Sequence, residues 1–351
     1  MLNGFLLFVV FWMVSAASFS GYATKWGFRD GEERYGIEKI LDGTAHKPFI
    51  YRQLLPSLAN FADDNAPEPV KQFFTGKHNL NKVYARTSMY AKKELRFPYL
   101  IIYYFSFLSL LGSAFVLREI LKTIGANSTT SIVAPALLVI AFPYLQTGGG
   151  YFYDFPELLF LSLAFLCALK GRIFPLLLTL IPATLNKESF LLYLPALYPI
   201  LRMHYSARAS AITLGMAMFV SGVSYLLIKD MYSANPGVST EPHFWTNLSN
   251  YTTSWYYRTS EFTYGVISPS RMSVISLTVL GAIVWRGWAK CSTPIQRHIM
   301  IAAAINIPFF LGFAATGELR NLSLVFVGMT ILLAHALDQS VRSNQVPRQI
   351  T

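Results

Sequence analysis

The sequence predicts an all-α fold, a polytopic transmembrane helical bundle of about 10 spans with amphipathic interfacial helices in a long first outer loop. Three observations carry that expectation. Of 351 residues, 53% are hydrophobic and only 13% charged, which is the wrong composition for two soluble domains. The apolar residues fall in runs at 3–22, 99–117, 130–147, 155–169, 210–228, 272–288, 299–316 and 321–337. Such runs suit a hydrocarbon core ~30 Å thick, crossed at ~1.5 Å per helical residue. The charges gather between the runs, and nearly half of the 29 Lys and Arg lie in residues 23–98. The whole chain, 1–351, reads as one integral-membrane domain.

The first run has small residues, Ser15-Ala16-Ala17-Ser18, where a signal peptide would be cleaved, but no positive charge precedes it. It is therefore expected to be a retained span. Residues 23–98 follow, far longer than a plain connection. They mix apolar, aromatic and charged residues, which argues for a folded segment against the membrane. Within it, 30–42 reads as a short amphipathic helix, with Ile37, Ile40 and Leu41 opposite Arg34, Glu38, Lys39 and Asp42, ended by Gly43. A second amphipathic stretch, 80–96, sets Leu80, Val83, Tyr84 and Ala91 against Lys82, Arg86 and Lys93. Those cations suit either snorkelling or contact with lipid phosphate.

Two shorter runs, 173–185 and 190–201, decide the topology. As a single helix they would put Asn186-Lys187-Glu188-Ser189 at mid-bilayer. As a hairpin they leave Lys170, Arg172, Arg202, Arg208, Arg286, Lys290, Arg297, Arg342 and Arg348 on one side, joined by Arg118 and Lys122. That is the positive-inside pattern, so the hairpin is expected, with both termini cytoplasmic. Residues 23–98, the 148–154 turn, the Asn186 turn, the loop 229–270 and Gly317-Glu318-Leu319-Arg320 then face outward. Cys167 and Cys291 sit on different elements without metal-ligand spacing, which implies neither a disulfide nor a zinc site. The net charge of +11 is shared between the inner loops and the first outer loop. Membrane lipids are its natural partners, and nucleic acid is not expected.

Several outward residues have the chemistry of a site. Asp154 and Glu157 follow Gly148-Gly149-Gly150 and a run of aromatics. With Glu188 and Glu318 on the same face, they suit sugar hydroxyls, the acceptor or a metal, while Asp154 alone also suits a helix N-cap. Lys187 and Glu188 lie in a turn between helices too short to span, where ionisable residues are functional candidates. The plainer alternative is that the two neutralise each other. Glu318 and Arg320 close the ninth span at the same level, and an arginine there can hold a phosphate through its planar fork. The loop containing Pro242-His243-Phe244-Trp245 and Trp255-Tyr256-Tyr257 supplies rings that either stack on sugars or anchor the loop.

The order Asp30-x-x-x-Arg34-Tyr35, then Asp42-Gly43, then Pro48-Phe49-Ile50-Tyr51-Arg52 resembles the first periplasmic loop of the GT-C-fold glycosyltransferases. These include aminoarabinose transferases and protein mannosyltransferases. The resemblance covers roughly residues 1–100. It departs from the family where Gly31 separates Asp30 from Glu32, and it has no large soluble C-terminal domain. The resemblance implies an inverting membrane glycosyltransferase with a polyprenyl-phosphate sugar as donor and a lipid-linked or glycan acceptor. It implies Asp30, with Glu33, as the catalytic acids; the phosphate of such a donor is expected on some of Arg52, Lys187 and Arg320, from their charge and outward position rather than from the resemblance. It leaves a divalent cation open, and it suggests a bacterial inner membrane with the site on the periplasmic face. No nucleotide-binding motif is present, as a lipid-phosphate donor requires none. The rival expectations are a transporter or flippase for lipid-linked saccharide, and a polysaccharide polymerase or ligase.

Overall fold

A computed structural model describes residues 4–76 and 79–343; Arg348, one of the cations placed on the inner side, lies outside them. The first helix, α1 (Gly4–Lys25), buries Phe11, Ser15, Ser18, Phe19 and Tyr22, a stripe at helical spacing. Its rings meet neighbouring rings edge-on, Phe11 with Phe115 at 5.0 Å and Phe19 with Phe155 at 5.2 Å, the geometry that aromatic quadrupoles favour. The first loop carries α2 (Ile37–Leu41), α3 (Leu54–Asn65), α4 (Glu68–Gly76) and α5 (Leu80–Val83).

Next come α6 (Arg96–Thr123), α7 (Thr130–Leu145), α8 (Asp154–Leu169) and α9 (Ile173–Asn186). The stretch 190–201 is broken into α10 (Phe190–Tyr193), a 3-10 turn and α11 (Tyr198–Leu201). The chain continues through α12 (Ala207–Met231), α13 (Phe244–Tyr251), a hairpin of β1 (Ser260–Thr263) and β2 (Val266–Pro269), α14 (Val274–Trp288) and α15 (Thr293–Phe313). A 3-10 segment, Leu319–Val325, leads into α16 (Phe326–Ser343).

Helix α8 lies at the centre, packed on α6, α9 and α16. Its Leu158, Leu161, Ala164, Phe165 and Ala168 are all buried. Among the described residues, five helical segments are long and apolar enough to cross a bilayer: Gly4–Lys25, Lys93–Thr123, Ala207–Met231, Thr293–Phe313 and Leu319–Gln339. Four shorter apolar segments accompany them, Thr130–Leu145, Ile173–Asn186, Phe190–Leu201 and Val274–Trp288. By length and composition these helices are consistent with a membrane protein.

Three local expectations change, and the separation of the runs 173–185 and 190–201 stands. The helix expected over 30–42 forms only at Ile37–Leu41, because Arg29 and Gly31 take positive φ and Gly36 is extended. Its apolar residues Ile37, Ile40 and Leu41 are nonetheless buried. The stretch 80–96 is a four-residue helix followed by two 3-10 turns, and Val83 is exposed rather than packed. The runs 173–185 and 190–201 do not form one helix, since Lys187 is extended (φ −161°, ψ 129°). Finally, the fold is not wholly α: β1 and β2 pair antiparallel across Tyr264-Gly265, both at positive φ, as a two-residue hairpin turn requires. The Tyr264 hydroxyl donates to the Ile140 carbonyl at 2.8 Å, and Lys25 pairs with Glu261 at 3.2 Å. The hairpin is thereby fastened to the end of α1 and α7.

Candidate functional site

The first turn of α8 and the loop before it build the floor of the site. Asp154 does not cap its own helix: its Oδ2 accepts from the backbone N–H of Tyr151 at 2.9 Å and from Gln146 Nε2 at 3.2 Å. Its other oxygen faces Arg320 Nη1 at 3.2 Å and Lys187 Nζ at 3.9 Å. One turn on, Glu157 accepts from Lys187 Nζ at 2.6 Å and from the hydroxyls of Ser189 and Ser323, each at 2.7 Å. Asp154, Glu157, Lys187 and Arg320 are all buried. Charges at that depth persist only when paired and hydrogen-bonded, and each of these is.

Extended backbone at Lys187 sends successive side chains in opposite directions. Lys187 turns inward to Glu157, while Glu188 turns to Arg52 of the first loop. The Arg52 fork grips Glu188 with Nη2 at 2.9 Å and Nε at 3.3 Å, and Nη1 donates to the Tyr153 hydroxyl. The two neighbours therefore do not neutralise each other. Burial, the largest single influence, would lower the pKa of Arg52, but the charge and hydrogen bond of Glu188 together with Tyr153 outweigh it and hold the guanidinium above its ordinary range. Burial would raise Glu188, and Arg52 instead holds it below the usual glutamate value. Glu318 completes the arrangement, with Oε1 on Arg320 Nη2 at 3.0 Å and Oε2 on Asn321 at 2.7 Å.

Above these pairs lies a cavity of about 600 Å³. Arg29, Arg34, Arg52, Lys187 and Arg320 border it, with Glu188, Glu241 and Glu318 among them. Its flank is apolar: Leu191 and Leu192, then Phe309, Phe310 and Phe313 of α15, with Tyr225 of α12 opposite. Aromatic rings support the cations, with Tyr151 under Arg320 and Tyr153 under Arg52, each at 4.4 Å.

The structure brings together Arg52, Asp154, Glu157, Lys187, Glu188, Glu318 and Arg320, and it leaves Asp30 and Glu33 apart. Glu33 is exposed. Asp30 is outside the cavity lining; it accepts from the Met89 backbone N–H at 2.7 Å and from the Tyr99 hydroxyl at 3.1 Å. It thus ties the first loop to α6. The residue that reaches the cavity from this motif is its neighbour Arg29. With φ at +60°, the backbone there directs the two side chains apart. Arg29 lies over Trp26 at 4.2 Å and Tyr151 at 4.9 Å and donates Nε to the Gly150 carbonyl at 3.2 Å. Among the described residues it has no carboxylate partner. The close fit depends on glycine: a Cβ at Gly150 would fall 2.4 Å from the Trp26 ring, and one at Gly149 would fall 2.6 Å from Glu318 Oε1. In the sequence the signal for Arg29 is an arginine set between Trp26 and Tyr35, and it stands beside the more conspicuous acids Asp30, Glu32 and Glu33.

Asp30 has a testable signature. Its partial burial pushes the carboxyl up to about 6, against the opposing effect of its Met89 and Tyr99 hydrogen bonds. The folded state therefore holds this proton more tightly than the unfolded chain, so the contribution is full below about pH 4 and is lost as pH rises through about 6. Between pH 5 and 7 the wild-type melting temperature should fall by on the order of a few degrees more than that of Asp30→Asn. Parallel slopes in the two proteins would contradict this placement of Asp30.

Among the described residues, no three His, Cys, Asp or Glu side chains converge as a metal centre needs. Asp154 and Glu157 instead meet an ammonium and a guanidinium. No family model, no curated protein and no solved structure matches the chain.

Proposed function

We propose that this protein is an integral-membrane glycosyltransferase that moves a sugar from a polyprenyl-phosphate donor to a lipid-linked or glycan acceptor. One observation carries the reading: a single cavity joins a cluster of guanidinium groups to an apolar flank between α12 and α15. A phosphate on an isoprenoid chain has the same two parts. Its phosphate would meet Arg29, Arg52 and Arg320, and its tail would lie along Phe309, Phe310 and Phe313. Planar guanidinium forks suit phosphate oxygens.

Glu188 is the carboxylate of the buried cluster most open to the cavity, with 27% of its side chain exposed against 12% for Glu318. It takes the role first expected of Asp30. The acceptor oxygen attacks the anomeric carbon from the face opposite the phosphate. The bond from that carbon to the phosphate oxygen breaks, the phosphate leaves with the electron pair, and the acceptor proton passes to Glu188. The transferred sugar is thereby inverted.

The same reading gives about 10 spans, with α9 and the 190–201 segment as a helical hairpin whose turn faces outward and the site on the outer, periplasmic face of a bacterial inner membrane. Cysteines introduced at the exposed positions Arg172 and Lys290 should then be labelled from the same side, opposite to one at Glu33. Labelling of Arg172→Cys and Lys290→Cys from opposite sides would reject the hairpin topology.

The activity test uses full-length protein in liposomes with labelled polyprenyl-phosphate sugars and lipid-linked acceptors. Transfer should occur and should drop about 10²–10⁴-fold in Glu188→Gln, as removal of a positioned base typically does. If no donor turns over while lipid-linked glycan crosses the bilayer, the protein is a transporter.

A further inference from the structure

We infer that a second lipid site, for an anionic phospholipid headgroup, lies at the ends of α12 and α15 opposite to the first cavity. The segment 198–203 and the first turns of α12 and α15 enclose a cavity of about 670 Å³. Arg202 and Arg297 line it, and no acidic residue does. Among the described residues neither arginine has a carboxylate partner; Arg202 donates only to the Tyr205 carbonyl, at 2.7 Å. The rest of the wall includes Tyr198, Met203, Met300 and Ile301. Two unpaired guanidinium groups above an apolar wall match a phosphate joined to acyl chains.

Its position fits a membrane face. Both cavities lie between α12 and α15. Ala207 at this end of α12 and Tyr225 at the other are 18 residues apart, ~27 Å along a helix. That is close to the ~30 Å thickness of the hydrocarbon core. The first cavity therefore meets one leaflet and this one meets the other. Helices α12 and α15 have only 22% and 33% of their apolar windows buried within the protein, so much of each helix is open to lipid. The arginines belong to the set that the positive-inside pattern places on the cytoplasmic side, where anionic lipids concentrate. The inference depends on the membrane-spanning reading and not on the sugar chemistry.

The test compares lipid retained by full-length protein after extraction from bilayers of phosphatidylcholine with phosphatidylglycerol, measured by native mass spectrometry. Wild type should retain phosphatidylglycerol preferentially. Arg202→Ala with Arg297→Ala should lower that retention by on the order of tenfold. Arg208→Ala with Lys290→Ala removes the same charge from exposed cations outside the cavity and should leave retention unchanged. Ala207→Trp, which keeps both arginines and puts an indole into the cavity beside them, should lower it like the first pair, and it decides the matter if that pair fails to fold. Equal losses in the two double variants would show a general attraction to the leaflet and overturn the site. So would an absence of preference for phosphatidylglycerol. Inorganic phosphate displacing the retained lipid at millimolar concentration would overturn the lipid assignment in favour of a soluble anion.

Discussion

Replacing Lys187 by alanine is expected to destabilise the protein by about 3–5 kcal/mol, the cost of leaving a buried ion without its partner. The ammonium is 2.6 Å from Glu157 and 3.9 Å from Asp154, and all three side chains are at most 4% exposed. Two serine hydroxyls would remain on Glu157, and hydroxyls do not neutralise a carboxylate. A second substitution gives the control. Lys187→Met combined with Glu157→Gln removes both charges, and a buried pair replaced as a unit is often tolerated. Thermal unfolding in detergent should show the double variant recovering most of the loss. If Lys187→Ala lies within about 1 kcal/mol of wild type, the range of exposed ion pairs, the cluster is hydrated rather than buried.

Arg29→Ala should raise the KM for a polyprenyl-phosphate sugar by roughly ten- to a hundredfold with kcat little changed. A hydrogen bond from a charged group contributes about 1.5–3 kcal/mol, and a contact kept in both ground and transition states appears in KM. Stability should barely move, because no carboxylate is left unpaired, and this separates Arg29 from Arg52 and Arg320. Arg29→Lys should not rescue binding, since an ammonium neither stacks on Trp26 and Tyr151 nor presents a planar fork. Steady-state kinetics beside a melting curve checks both halves. A KM equal to that of wild type would remove Arg29 from the donor site.

The helices were largely legible in the sequence because hydropathy is a local property: each apolar run announces its own need to be buried. The polar residues at their ends were legible for the same reason, since Asp154, Glu157, Lys187 and Glu188 stand out against apolar flanks. Partner choice was not. Lys187 and Glu188 are neighbours, and only the extended backbone at Lys187 reveals that they serve different pairs. That Arg29 lines the cavity while Asp30 does not was hidden for a similar reason, a positive φ at a non-glycine residue, which composition does not disclose. The hairpin at Tyr264-Gly265 was hidden by its short strands inside a loop noticed only for its rings.

The cavity and the acids beneath it hold Arg29, Arg34, Arg52, Lys187 and Arg320 against Asp154, Glu157, Glu188, Glu241 and Glu318, five charges of each sign. Their fields cancel beyond a Debye length of about 8–10 Å, so the site cannot draw an anion in from afar. An anionic ligand reaching Arg52 or Arg320 meets a guanidinium already engaged by a carboxylate. What it gains is the difference between two ion pairs, set by fit at contact. Selection in such a site is by exchange, and its dependence on salt is shallow. That suits a ligand delivered by diffusion within a bilayer more than one captured from water.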